Sequence, residues 1–181
     1  MIRWLLWLLA GLVLGGIVHL AMVLYLPRAA TRDAYARLEP MTPVNSFVPL
    51  PAPTANGSVV PFMDPAFAIS VCRYDLSKGP LKVTAPVSQA YTSVSFYTRQ
   101  GAAHYAITDK AAGRRVIEVD LMTQKQRSAL PEDEEVTAAD RLIVESPSTN
   151  GLIVVRALAP EPSQMPMAQR ALAGAKCQAQ S

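Results

Sequence analysis

Residues 81–121 read LKVTAPVSQAYTSVSFYTRQGAAHYAITDKAAGRRVIEVDL, and this stretch decides the fold. It contains short apolar or alternating runs at residues 81–87, 91–98, 103–108 and 115–121. Gly101 and Gly113 mark turns between these runs. Parallel neighbours need a crossover of about a dozen residues or more, and runs this closely spaced leave no room for one. The stretch therefore predicts antiparallel β-strands.

Further elements are predicted on the C-terminal side of this stretch. They are a short helix over residues 123–130 with Thr123 as its cap, strands over 141–145 and 152–158, and a final helix over 164–176. Asn150-Gly151 lies between the two strands and favours a hairpin, because both residue types tolerate positive φ. The predicted fold class is mainly β with flanking helices, an antiparallel sheet or sandwich with a C-terminal helix behind a single N-terminal transmembrane helix.

The N-terminal side of the predicted strands is rich in proline, with seven prolines between residues 40 and 65. Proline removes a backbone donor and favours polyproline II, so this stretch is neither a helix nor a sheet interior. Together with a short juxtamembrane helix, residues 28–63 are predicted to form a tether, extended unless it docks on the domain. The folded domain is predicted over 64–181, and Asp64-Pro65 favours one or two helical turns at its start.

Residues 4–26 are an apolar run in which His19 is the only strongly polar side chain. A helix of this length is sufficient to cross a hydrocarbon core of about 30 Å. Residues 1–27 are therefore predicted to be an uncleaved anchor in membrane lipid. The alternative is a cleaved signal peptide, which has a shorter apolar run with a small-x-small site close behind. The nearest tidy site here, Ala34-Tyr35-Ala36, lies well beyond the run.

Gly11 and Gly15 form a GxxxG pair in this run, and His19 lies one turn later. Small residues at this spacing let two membrane helices approach closely, so they are candidates for homodimer formation, with His19 hydrogen-bonding across the interface. The alternative is that they reflect the general enrichment of glycine in membrane helices.

Several motifs downstream of the anchor occur in a recognisable order. They are YDLSKGPLKV at residues 74–83, the strand that contains Tyr91, Phe96 and Tyr97, LIVESP at 142–147 and VVR at 154–156. In order and spacing the chain resembles the N-terminal region of the bacterial domain-of-unknown-function family 1254, over roughly residues 64–158. The resemblance implies a short, membrane-anchored relative, expected to differ from longer members in lacking a large C-terminal portion. Because that family has no settled activity, the resemblance implies a β-rich fold and no catalytic residue.

Orientation in the membrane rests on two opposed signals. Arginines are more numerous after the apolar run, at Arg28, Arg32 and Arg37, than before it, and this favours a cytoplasmic C-terminal domain. The short N-terminal tail instead resembles a signal-anchor, which exports the domain behind it. We expect a single-pass protein of the bacterial inner membrane with a periplasmic domain.

Composition excludes several function classes. A formal net charge of +3, with no concentrated basic stretch, argues against nucleic acid as a partner. No metal site, cofactor motif or catalytic motif is evident. His104 is the only histidine outside the anchor. Tyr91 and Tyr97, on one face of the predicted strand, are weak candidates for ligand binding together with His104. The alternative is an ordinary solvated sheet face.

Cys72 and Cys177 are the only two cysteines. In an oxidising compartment such a pair is a disulfide candidate, whereas in the cytosol both remain thiols. A bridge requires the two Cα atoms to lie within about 7 Å. The predicted function is a membrane-anchored envelope domain, a binding or accessory module. The alternatives are an enzyme that uses the Tyr/His face and a cytoplasm-facing scaffold.

Overall fold

The computed structural model describes residues 1–29, 33–113, 115–130 and 142–180, and the chain forms two units, Met1–Asp33 and Ala34–Ser181. The first unit consists mainly of helix α1, Ile2–Ala29. Within it, Ile2–Leu26 is long and apolar enough to cross a membrane. The predicted transmembrane helix is therefore present as a helix of sufficient length. Of the predicted juxtamembrane helix, residues 30–32 lie outside the described part of the chain.

The second unit is built on two sheets. Its strands are β1 (Phe47–Pro49), β2 (Phe67–Asp75), β3 (Leu81–Pro86), β4 (Thr92–Thr98), β5 (Ala103–Thr108), β6 (Val116–Thr123), β7 (Leu142–Ser146), β8 (Asn150–Leu158) and β9 (Lys176–Ala179). One sheet has the order β1-β2-β8-β4-β5 and the other β7-β6-β3-β9. The strand pairs are antiparallel except β6–β7, which is parallel. The β-rich fold class predicted from the sequence is confirmed.

Short helices connect and flank the strands. They are α2 (Ala34–Leu38), α3 (Asp109–Ala112), α4 (Gln124–Arg127) and α5 (Met165–Ala173). Helix α4 lies where a helix was predicted, and Thr123 caps it in a capping box with Gln126. Helix α5 is shorter than predicted, because the chain turns after Gly174 and ends in strand β9 beside β3.

The main hydrophobic core lies between the two sheets. Alternate residues of the central strands point into it, including Val94 and Phe96 of β4 and Val83 of β3. Helix α5 closes this core with Ala168 and Leu172. Burial of apolar surface at about 25 cal/mol per Å² is the main force that holds the sheets together.

A disulfide also links the two sheets. Cys72 of β2 and Cys177 of β9 are bonded, with their Cα atoms 6.5 Å apart and a sequence separation of 105. Both residues are buried in the main core. The bridge therefore fastens the C-terminal strand to the opposite sheet.

The outer face of the five-stranded sheet is also apolar, and residues 34–63 cover part of it. Ile69 and Val71 of β2 and Leu152 and Val154 of β8 point to this side. They pack against the covering segment in a second cluster that includes Tyr35, Leu38 and Leu50. The proline-rich segment was predicted as a tether that is extended unless it docks. In the structure it docks, because the sheet has a second apolar face to bury.

The predicted helix over residues 64–71 is wrong. The Asp64 carboxylate accepts a hydrogen bond from the Ala66 N–H at 2.9 Å, and the Phe67 N–H donates to the Asp64 carbonyl at 3.2 Å. Asp64 therefore closes one turn without starting a helix. From Phe67 onward the chain pairs with β8 along the whole of β2, so tertiary pairing outweighs the local start signal.

The predicted hairpin at Asn150-Gly151 is also wrong. Strand β7 belongs to the four-stranded sheet and β8 to the five-stranded sheet, so the connection crosses from one layer to the other. Asn150 begins β8 opposite Asp75, and the Leu76 N–H donates to the Thr149 carbonyl at 2.8 Å. Asn150 and Gly151 therefore belong to the passage of the chain from one sheet to the other, and β7 and β8 do not pair with each other.

Gly151 allows a very close approach between backbone and side chain in the main core. A Cβ atom placed there would lie 2.5 Å from the Tyr74 hydroxyl and against the Tyr97 carbonyl oxygen. Tyr74 has no room to move, because it is completely buried and its hydroxyl shares a hydrogen bond of 2.8 Å with Ser146.

We expect Gly151→Ala to lower the free energy of unfolding by about 3 kcal/mol, through overpacking and loss of the Tyr74 hydrogen bond. Chemical denaturation of the detergent-solubilised protein measures this. Gly174→Ala is the matched control, because its closest contact would be the Pro86 side chain at 3.0 Å. An equal effect at both positions would show that the packing around Tyr74 is not the cause.

Candidate functional site

A cleft of about 520 Å³ opens between residues 34–63 and the outer face of the five-stranded sheet. Its floor consists of side chains from β2, β4 and β8, and its walls come from the covering segment. The apolar residues that line it include Leu38, Leu50, Val60, Met63, Phe67, Ile69, Val71, Leu152 and Val154. A cleft of this size with mostly apolar walls and few polar groups is typical of small-molecule sites.

Arg156 lies on the floor of this cleft, on the central strand β8. In register it stands between Ile69 of β2 and Ser93 of β4. Its side chain is half-buried and forms no hydrogen bond or ion pair with any residue that the structure describes. Its guanidinium keeps contact with the open space of the cleft, because none of its nitrogens is fully buried. Within the described part of the chain, Arg156 is thus a cationic donor without an acceptor in an apolar cleft.

Arg73, another arginine of the five-stranded sheet, is held by the covering segment. It is 6% exposed and donates to the Glu39 carbonyl at 3.0 Å and to the Glu39 carboxylate at 3.4 Å. Its guanidinium also lies 4.7 Å from the centroid of the Tyr35 ring. Arg73 therefore holds the covering segment onto the sheet, and this role does not extend to Arg156.

Tyr91 and Tyr97, both proposed from the sequence as ligand contacts, line the cleft. The Tyr91 ring packs edge-to-face against Phe67 with the centroids 6.4 Å apart. The alternative drawn from the sequence was that this face of β4 is an ordinary solvated sheet face. Ser93 and Ser95 on the same face are buried.

His104 lies away from the cleft. The register of β4 against β5 shifts between Phe96 and Tyr97, which leaves His104 without a partner in the ladder. Its ring lies 6.3 Å from that of Phe96, whose side chain belongs to the main core. Asp109 contacts the Thr92 N–H at 3.5 Å, and the two ring nitrogens of His104 have no hydrogen-bond partner among the described residues. Burial therefore lowers the pKa of His104.

Among the described residues, no group of three His, Cys, Asp or Glu side chains is arranged to hold a metal ion. Gly11, Gly15 and His19 lie on helix α1, where the glycines have open space around them. Association through this helix stays a prediction.

Arg156 and Ser93 were not predicted from the sequence to be site residues. A signal was present for Arg156, because alternation through residues 152–158 places it on the same face as Leu152 and Val154. A charge in an otherwise apolar strand face indicates either a paired ion or a binding site. Choosing between them requires knowing what covers the face.

The position of His104 predicts acid sensitivity. A histidine whose pKa is lowered by folding binds more protons in the unfolded state. Stability is therefore lost as the pH falls below the unfolded value of about 6.5. We expect thermal unfolding of the wild type to shift to lower temperature between about pH 7 and pH 5, and His104→Leu to reduce that shift. Asp109→Asn is the control. It should leave the shift unchanged, because Asp109 accepts the Thr92 N–H and does not bond to His104. A shift that persists in full in His104→Leu would show that another group is responsible.

Comparisons with known proteins bear on the family and the fold. The crystal structure of a protein from Vibrio parahaemolyticus is similar over 80% of this chain, with a TM-score of 0.57 and 14% identity. A second crystal structure, of an uncharacterised protein from Burkholderia cenocepacia, has a TM-score of 0.45 and 15% identity over 70% of the chain. The chain spans about a third of each, 32% and 34% of their lengths. At such identity the first likeness shows the fold alone.

No curated protein matches this chain significantly. The family described as a protein of unknown function (DUF1254) matches residues 44–179, which covers both sheets and the cleft floor. This match extends beyond the region of resemblance noted in the sequence at both ends. The chain therefore belongs to the DUF1254 family of proteins of unknown function.

Proposed function

We propose that this protein is a membrane-anchored, exported binding module that takes an apolar or amphipathic small molecule into the cleft beside Arg156. The observation that carries the proposal is the cleft itself, which is lined by apolar side chains on both walls and floor. A domain that needed only to fold would gain stability by filling this space, since apolar surface left in contact with water contributes nothing.

Phe62 supports this proposal. It lies at the rim of the cleft, and its ring is fully exposed to water. Its φ is +61°, in the left-handed region that bulky residues rarely adopt. An exposed aromatic ring held in a strained backbone stabilises the fold little, and strain of this kind often accompanies a ligand clamp. In our proposal, the Phe62 ring packs on the bound molecule.

We expect Phe62→Gly to change the free energy of unfolding by no more than about 1 kcal/mol, because relief of strain and added chain entropy offset each other. Labelling of the cleft by a photoreactive alkyl probe, with the protein in lipid nanodiscs and the sites mapped by mass spectrometry, should fall several-fold. Met167→Ala, at an exposed methionine on α5, is the control and should leave labelling unchanged. Wild-type protein labelled only on α1 would contradict a binding cleft.

Export to the bacterial periplasm is the second part of the proposal, with α1 as an inner-membrane anchor. Support comes from the bond between Cys72 and Cys177, because disulfides persist in oxidising compartments and are rare in the cytosol. The alternative of a cytoplasm-facing scaffold would leave both sulfurs as thiols. An enzyme that uses Tyr91, Tyr97 and His104 together is not favoured, because His104 does not line the cleft that the two tyrosines share.

The redox state of the cysteines tests export. In cells quenched with acid and denatured, we expect both cysteines to resist a thiol-reactive polyethylene glycol until a reductant is added. Deletion of residues 1–27 should retain the domain in the cytosol and make both reactive. In the exported protein, Cys177→Ser should lower the free energy of unfolding by about 2–5 kcal/mol. Two free thiols in the intact protein would contradict the periplasmic assignment.

A further inference from the structure

We infer that the cleft selects an amphipathic carboxylic acid with a single alkyl chain, and that Arg156 pairs with its carboxylate. This inference rests on the proposed function and deepens it by naming the class of ligand. It also assigns the determinant of specificity to a residue that forms no hydrogen bond or ion pair with its side chain to any described residue.

The position of Arg156 limits the directions its side chain can take. On β8 its neighbours along the same face are Val154 and Leu158, and across the sheet they are Ile69 and Ser93. The Arg156 side chain therefore projects from a central strand, and the strands on both sides limit the conformations that it can adopt. A planar group with several donors in a fixed fork matches the two oxygens of a carboxylate.

Ser93 adds a second donor to this patch of the floor. Its hydroxyl stands beside Arg156 on β4 and forms no hydrogen bond with any described residue, as is also the case for the guanidinium. Arg156 and Ser93 together present cationic and neutral donors on one patch. An anion bound there would satisfy both.

Among the described residues, no acidic side chain that lines the cleft pairs with Arg156. Among the described residues, Asp64 is the only acidic one that lines the cleft. It is exposed at the rim, its carboxylate accepts the Ala66 N–H, and it forms no ion pair with Arg156. Arg156 therefore remains open to an external anion.

The surroundings of Arg156 determine what the anion is attached to. Apolar side chains of the sheet and the covering segment line the cleft, among them Val71, Val154 and Leu50, and the packed pair of Phe67 and Tyr91 lines it as well. A small hydrophilic anion would leave these surfaces in water. A carboxylate attached to an alkyl chain pairs with Arg156 and buries its chain along them, so both kinds of group are satisfied together.

The test uses the full chain in lipid nanodiscs with two photoreactive probes of equal length, a diazirine derivative of dodecanoic acid and the matching dodecanol. Labelled residues are mapped by mass spectrometry, and labelling of α1 serves as an internal measure of how much probe enters the bilayer. We expect the acid to label the cleft about tenfold more than the alcohol, the difference expected for one charge-assisted hydrogen bond.

Three variants complete the experiment. Arg156→Gln should reduce labelling by the acid to the level of the alcohol, and Arg156→Lys should retain part of it, because the charge remains without the planar fork. Arg115→Gln, at an exposed arginine outside the cleft, should change nothing. Each variant is shown to be folded by its intact Cys72–Cys177 disulfide and an unchanged unfolding transition.

The outcomes separate the two proposals. If both probes label the cleft equally and Arg156→Gln has no effect, the inference about the carboxylate is overturned while the binding cleft stands. If neither probe labels the cleft although both label α1, the proposed function itself fails. Acid labelling that Arg115→Gln lowers as much as Arg156→Gln would show a general effect of charge and would overturn the role of Arg156.

Discussion

Strand β8 carries apolar side chains on both of its faces, and the burial of both faces is the constraint on which the rest of the structure depends. Ile153, Val155 and Ala157 face the main core, whereas Leu152 and Val154 face outward. Each face requires its own cover, since apolar surface exposed to water costs about 25 cal/mol per Å². The four-stranded sheet covers the inner face, and residues 34–63 cover the outer one. The order of layers follows from this one strand.

The two covers are fastened by different chemistry. Across the inner interface the Cys72–Cys177 disulfide links the sheets, and it limits the entropy of the unfolded chain. On the outer face Arg73 takes that role. Its guanidinium donates to Glu39 and Thr42 and lies against Tyr35, so it holds α2 and the adjoining turn to the sheet. Arg99 lies on the same ring, 5.0 Å from its centroid. Arg156, toward the other end of the face, is left for another partner.

Local signals in the sequence were sufficient to predict strands that are adjacent both along the chain and in the sheet. Strands β4 and β5 are joined by the turn at Gly101, and both were predicted from alternation and that turn. The predictions failed where pairing is distant. Strand β2 joins β8 far along the chain, with Phe67 opposite Leu158. Neither the Asp64-Pro65 signal nor the Asn150-Gly151 signal carries information about that partner. Of the residues that line the cleft, only Tyr91 and Tyr97 were named from the sequence as candidates for ligand binding, because the other half of the lining comes from the proline-rich segment.

The composition of that segment also explains why a cleft remains. Pro49, Pro51 and Pro53 lack backbone donors, so the chain cannot extend its ladder along β2, and β1 ends at Pro49. Beyond it the Leu50 N–H still donates to the Ile69 carbonyl at 2.9 Å. The prolines direct the chain over part of the face and then to the exposed turn at Phe62. The same residues that prevent regular structure in the cover thus leave the floor of the cleft open, with Arg156 within reach of a ligand.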